Sequence, residues 1–133
     1  MSVNGCGAKV VLLVEDDCSV REVVAIGLRG AGYSVLEAGA GGDALALARS
    51  FRDPVDLLIT DVRLPGCTGQ ALFEALRRWR PGLKAIFMSG GDPVGLPRGV
   101  TFLGKPFRIS ALLSIACELV GPARASSCST LID

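Results

Sequence analysis

The sequence contains no histidine. That absence excludes Ser-His-Asp and Cys-His catalysis, removes most zinc enzymes, and leaves this chain without a phosphohistidine of its own. Cysteine is scattered and unpaired in pattern: Cys6, Cys18, Cys67, Cys117 and Cys128 are odd in number and form no C-x-x-C motif. A reduced thiol set is expected rather than a disulfide framework or a zinc site, which points to a cytoplasmic protein. No apolar run approaches the roughly 18 residues that span a bilayer. Val10 to Val14 is also too short for a secretory signal. Charge of either sign is scarce in excess, with 14 Lys and Arg against 13 Asp and Glu, interspersed. A net charge of +1 gives no reason to expect nucleic acid or a membrane surface as partner. The chemistry left to this chain runs on carboxylates, hydroxyls, lysine and a hard metal.

What is present fits one packed domain. The 133 residues are half hydrophobic, with 17 Gly for tight loops. Val10 to Val14 is a continuous apolar run, as expected of a strand buried on both faces. A helix follows, with Ser19 and Glu22 as a capping box and Val20, Val23, Val24, Gly27 and Leu28 on its inner face. Gly30 and Gly32 stop it. Tyr33 to Ala38 reads as a second strand. Ala44, Leu45, Leu47, Ala48 and Phe51 mark a second helix, which ends before Asp53-Pro54. Val55 to Thr60 is the most apolar strand and the expected centre of the sheet. A Pro- and Gly-rich loop leads to a third helix with Leu72, Ala75, Leu76 and Trp79 inward. Its arginines, Arg77, Arg78 and Arg80, suit a helix C-terminus. Lys84 to Met88 and Val100 to Leu103 are short strands, and Leu112, Ile115, Ala116 and Leu119 mark a last helix. The spacing predicts an N-terminal segment over 1–8, a domain over 9–120 and a flexible tail over 121–133.

Strands alternate with helices throughout, which argues for an α/β doubly wound sheet of five parallel strands. The expected order is the flavodoxin-like 2-1-3-4-5. In that order Glu15, Asp16 and Asp17 follow the first strand, Asp61 the third, Ser89 the fourth and Lys105 the fifth. All lie at one edge of the sheet, around the switch point where open α/β sheets bind ligands. Singly, each has a plain explanation as a capping acid, a turn former or a solvated lysine. Together, four loops deliver a phosphoryl-transfer set. Clustered carboxylates need a cation, and oxygen ligands suit Mg²⁺. Asp61 is then the nucleophile, while Lys105, Ser89 and backbone N–H groups after Asp61 hold the phosphoryl oxygens.

Over residues 9 to 120 the chain resembles a response-regulator receiver domain of two-component signalling, in the CheY-like superfamily. The segments VVLLVEDD, LLITDVRLPG, IFMSG and FLGKPF carry the resemblance, in order and on the matching elements. It implies a phosphoprotein that accepts its phosphoryl group from a sensor histidine kinase or phosphotransfer protein. Such a protein catalyses only its own phosphorylation and dephosphorylation. By the same resemblance Asp61 is the phosphoacceptor. Glu15 and Asp16 form the acidic pair, with Asp16 the closer Mg²⁺ ligand, and the backbone carbonyl of Arg63 is a further ligand. Asp17 supplies helix-start electrostatics. Ser89 is the switch hydroxyl, Phe102 the aromatic that rotates on activation, and Lys105 the phosphate-binding lysine ahead of a cis peptide to Pro106.

Two features depart from the family pattern. Only 15 residues separate Ser89 from Lys105, and Pro93, Gly95, Pro97 and Gly99 fall among them. Helix 4 is therefore expected to be a stub or absent. The uncovered face near strands 4 and 5 would then seek a cover, such as a homodimer or a dedicated partner. Arg63 lies two residues after Asp61, where it can shield the phosphoryl group from water. It also argues against an aspartate-nucleophile phosphatase, which wants a second Asp there. An acidic loop after the first strand excludes a flavin phosphate. A receiver-fold binding module that works without phosphorylation remains the alternative. The chain offers no room for an output domain; it is a stand-alone receiver, a phosphoryl shuttle or a piece of a hybrid kinase, and Met1 with the short tail favours the first.

Overall fold

The computed structural model describes residues 8–91 and 100–123. Eleven elements follow one another: β1 (Val10–Val14), α1 (Cys18–Gly30), β2 (Ser34–Ala38), α2 (Gly41–Ser50), β3 (Leu57–Asp61), β4 (Arg63–Leu64), β5 (Cys67–Thr68), α3 (Gly69–Arg77), β6 (Lys84–Ser89), β7 (Thr101–Gly104) and α4 (Ile109–Val120). Five strands form one sheet in the order β2-β1-β3-β6-β7, and every pairing is parallel. Once the two-residue strands β4 and β5 are set aside as a small antiparallel ribbon, this is the expected 2-1-3-4-5 arrangement.

The sheet is sandwiched because its central strands are apolar on both faces. Side chains alternate along a strand, so β1 feeds two cores. Val10, Leu12 and Val14 pack toward α2 and α3 with Ala44, Leu72, Phe73 and Leu76. Val11 and Leu13 pack toward α1 and α4 with Val24, Leu28, Leu112 and Ala116. Each Val, Leu or Phe side chain sealed in this way stabilises the fold by about 1.5–3 kcal/mol relative to exposure. The ladders therefore set where each strand ends, and the strand ends carry the polar residues.

Several local expectations shift. Ser19 does not begin a capping box. Asp17 is the N-cap of α1, and its carboxylate accepts from the N–H groups of Ser19 and Val20. An ionised oxygen is the stronger acceptor here and stands one residue before the first helical position. On α1 the buried residues are Val24, Ala25 and Leu28, while Val23 is 56% exposed. Trp79 is likewise 50% exposed rather than inward. It lies beyond the end of α3 at Arg77, so helical spacing no longer governs it, and Phe73 takes the core position instead. The Arg49 guanidinium stacks over the Trp79 ring at 5.0 Å.

Gly32, with φ near 103°, turns the chain from α1 into β2 in a conformation glycine adopts without strain. The chain stays attached to the body past α4, because Tyr33 donates from its hydroxyl to the Gly121 carbonyl and Lys9 N donates to the Ala123 carbonyl. The stretch between β6 and β7 in which a helix 4 stub is expected falls largely on residues 92–99, which lie outside the described residues. The described residues contain four helices, and none is long and apolar enough to cross a membrane.

Candidate functional site

β1 and β3 are neighbours, so the residues that leave their C-terminal ends meet. Glu15 continues the β1–β2 ladder by one bond, its N–H donating to the Ala38 carbonyl at 3.0 Å. This pins its backbone and leaves its side chain 1% exposed. Asp61 is the last residue of β3 and is also buried. Lys105 follows β7 directly, and its N–H donates to the Ser89 carbonyl at 2.7 Å, which fixes the start of its loop beside the end of β6. From there the Lys105 ammonium reaches both acids: Nζ lies 2.7 Å from Glu15 Oε1 and 2.7 Å from Asp61 Oδ1. The Lys105–Pro106 peptide is cis.

Two buried carboxylates share one lysine, so they do not titrate alike. Burial pushes Asp61 up, the hydrogen bond and charge of Glu15 push it further, and Lys105 opposes them; its pKa rises to about 7. Burial also pushes Glu15 upward, but hydrogen bonds from Asp61, Lys105 and the Asp17 N–H outweigh it and hold Glu15 below its ordinary value. Without a further cation, Glu15 carries the charge more readily and Asp61 holds its proton to higher pH than an ordinary carboxyl. Lys105 loses something to burial, yet its two carboxylate partners hold its pKa above the usual value.

Glu15, Asp16 and Asp61 each offer a carboxylate oxygen within 4.8 Å of the others. Asp16 is exposed at the mouth of this cluster. Three hard oxygens, two of them buried and partly neutralised by one lysine, form a donor set suited to Mg²⁺. The residues present fit that ion.

The remaining expected residues are placed as follows. Ser89 ends β6 at the same rim, but its hydroxyl oxygen accepts from the Gly91 N–H at 3.0 Å. Phe102 lies in β7 opposite Phe87 and is half-buried. Arg63 is exposed and pairs with Thr68 across the β4–β5 ribbon. The ribbon folds back tightly: Gly69 N donates to the Val62 carbonyl at 2.8 Å, and a Cβ at Gly69 would collide with the Asp61 carbonyl oxygen.

Sequence reasoning missed the support for Glu15. Arg21, one turn into α1, donates from Nη1 to the Glu15 carbonyl at 2.8 Å, and its Nε lies 3.6 Å from Glu37. The available signal was an arginine six residues after the acid, on the helix that leaves the acidic loop. Beside the site a groove of about 600 Å³ opens between α1 and the loop after β7, with Val20, Val23, Pro106, Phe107 and Ile109 in its walls. The exposed position of Val23 follows from that groove.

Comparison with known proteins agrees with this geometry. The family model for the response regulator receiver domain matches residues 11–116. The response regulator receiver protein CpdR of Brucella abortus (strain 2308) is 34% identical over 112 residues, covering 80% of this chain and 92% of the relative. The sensor kinase CckA of the same strain is 34% identical over 120 residues, which are 86% of this chain but only 13% of the kinase. Against the probable transcriptional regulatory protein TcrX of Mycobacterium tuberculosis the match covers 46% of that protein. Among solved structures, the receiver domain of hybrid histidine kinase CckA superposes with a TM-score of 0.75 at 39% identity, covering 84% of this chain and 98% of that one. Chemotaxis response regulator CheY4 of Vibrio cholerae gives 0.73 at 30% identity, covering 84% and 98%. With its parallel sheet, its carboxylates at the switch point and this match over most of its length, the chain belongs to the response regulator receiver domain family.

Proposed function

We propose that the chain is a phosphoryl-accepting switch of two-component signalling, in which Asp61 takes the phosphoryl group from a phosphohistidine of a sensor kinase or phosphotransfer protein. The observation that carries the reading is the placement of Asp61 at the strand end, with Lys105 bridging it to Glu15 and Asp16 within ligand reach. Glu15, Asp16, Asp61 and the Arg63 backbone carbonyl would hold Mg²⁺. When bound, Mg²⁺ supplies the positive charge that offsets the carboxylates and the incoming phosphoryl oxygens.

An Asp61 carboxylate oxygen attacks phosphorus as the P–N bond to the donor imidazole breaks; the imidazole leaves with the bonding pair and is protonated. The product is an acyl phosphate. For this Asp61 must shed its proton, and a cation among the carboxylates favours that form. Lys105 then leaves the Asp61 carboxylate for a phosphoryl oxygen by charge. Ser89 exchanges its backbone partner, the Gly91 N–H, for another phosphoryl oxygen, and Phe102 follows inward as the rim closes. Arg63, exposed beside the acceptor, slows attack by water.

A protein donor is supported by the apolar groove that flanks Lys105, since a folded partner can rest there while it presents its imidazole. Balanced charge favours a protein partner over nucleic acid or a membrane surface. Output through the face near β6 and β7, including a homodimer there, belongs to the same proposal.

The test is incubation of the chain with a small acyl phosphate and Mg²⁺, followed by intact-mass analysis of wild type and Asp61→Asn. A gain of one phosphoryl mass in wild type alone supports the reading. No gain in wild type leaves a binding module that acts without phosphorylation, and an equal gain in both variants places the phosphoryl group on a residue other than Asp61.

A further inference from the structure

We infer that Arg21 is a positioning residue for the Mg²⁺ site, held in place by Glu37 and given room by Gly39. The inference rests on the metal-dependent reading above and extends it to residues outside the acidic cluster.

The geometry forms a chain of contacts from the edge of the sheet to the site. Glu37 lies on β2, where it pairs with Leu13 of β1. Arg29 Nη1 donates to Glu37 Oε2 at 2.8 Å, and Arg29 Nη2 donates to the Val35 carbonyl at 3.1 Å. This leaves Glu37 Oε1 facing Arg21 Nε at 3.6 Å. So oriented, Arg21 turns Nη1 onto the Glu15 carbonyl at 2.8 Å. Glu15 is thereby fixed at its backbone carbonyl by Arg21, while its Oε2 accepts from the Asp17 N–H at 3.0 Å and its Oε1 meets Lys105. Gly39 is an independent observation. A Cβ there would lie 3.1 Å from Arg21 Nη1, so a side chain at this position would press on the guanidinium.

The sign of the effect separates positioning from simple charge. Arg21 is a cation bound to the backbone of the acidic loop. If it acted only through its field, its removal would raise affinity for a dication. If it holds the Glu15 backbone so that the carboxylates converge, its removal lowers affinity despite the more negative site. Removal of groups that orient metal ligands commonly costs about tenfold or more in affinity.

The experiment is Mg²⁺ titration of the full chain, followed by backbone amide resonances of residues 15–17 and 61–63, alongside urea denaturation in chelator. Arg21→Met is expected to weaken Mg²⁺ binding about tenfold. Arg21→Lys keeps the charge but not the fork that spans Glu37 and the Glu15 carbonyl. It is expected to weaken binding about threefold, and it decides the matter if Arg21→Met does not fold. In metal-free protein the Asp17 amide should exchange faster in either variant. Unchanged or tighter Mg²⁺ binding in both folded variants, or in Arg21→Lys alone if only it folds, overturns the inference while the phosphoryl-acceptor reading stands. A wild type that binds no Mg²⁺ overturns both.

Discussion

Lys105 Nζ stands 2.7 Å from an oxygen of Asp61 and the same distance from an oxygen of Glu15, so one ammonium serves two buried acids. Removing it leaves Glu15 charged, buried and without its cation. Lys105→Met is expected to lose about 1–2 kcal/mol in metal-free protein, below the cost of breaking a fully buried pair because the lysine is partly exposed. Phosphorylation should slow by roughly 100-fold as a phosphoryl-oxygen partner is lost. Urea melts and an intact-mass time course measure the two effects. A variant phosphorylated at the wild-type rate would contradict the assigned role.

The proton on Asp61 makes stability depend on pH. Its pKa in the folded chain is about 7, against an ordinary 3.8. A raised acid favours the native state fully below its unfolded pKa, and that contribution is lost as pH rises through the folded value. Asp61→Asn removes the group, so in chelator it should exceed wild type by about 2 kcal/mol at pH 8 and by little near pH 4. Mg²⁺ should narrow the difference at pH 8. A gap that does not change between the two pH values would refute the assignment of the proton to Asp61.

Two glycines probe the ribbon, and they differ in what blocks them. A Cβ on Gly69 meets backbone, the Asp61 carbonyl oxygen, whereas a Cβ on Gly41 meets the Cys67 sulfur. Gly69→Ala is expected to cost about 2–3 kcal/mol and to reduce phosphorylation, with no side-chain change restoring either. Gly41→Ala should recover most of its stability when combined with Cys67→Gly. Equal rescue of both by side-chain trimming would show the backbone contact to be yielding.

Ser89 tests the division between fold and chemistry. Its hydroxyl accepts from the exposed Gly91 N–H, which water can satisfy in its place. Ser89→Ala should therefore change stability by no more than about 0.5 kcal/mol, while slowing phosphorylation about tenfold. If both are unchanged, the hydroxyl serves only its own loop.

The sheet was legible in the sequence because its central strands are continuous apolar runs bounded by Gly, Pro and acidic residues. A strand order of this kind then forces Glu15, Asp61 and Lys105 to one rim, which is why their convergence could be foreseen. Less legible was anything that depends on competition between neighbours. Asp17 displaced Ser19 as the cap because its carboxylate takes the Ser19 and Val20 N–H groups, so the helix is already under way when the chain reaches Ser19. Trp79 fitted a helical stripe, but α3 ends two residues earlier. Arg21 went unassigned, since its place six residues after Glu15 does not by itself show that the Glu15 carbonyl lies within reach of its guanidinium. The single proton shared by the two acids was beyond reach for the same reason: it depends on burial rather than on residue type.

The two outer strands of the sheet are not equally tethered. β2 is lashed to α1 through Glu37 and two arginines, whereas described contacts at the far margin run mainly through the β6 ladder and the Lys105 loop. The β2 margin is thus fixed to α1 by charge, and among the described residues of β7 Phe102 and Leu103 stand only half covered at the opposite margin.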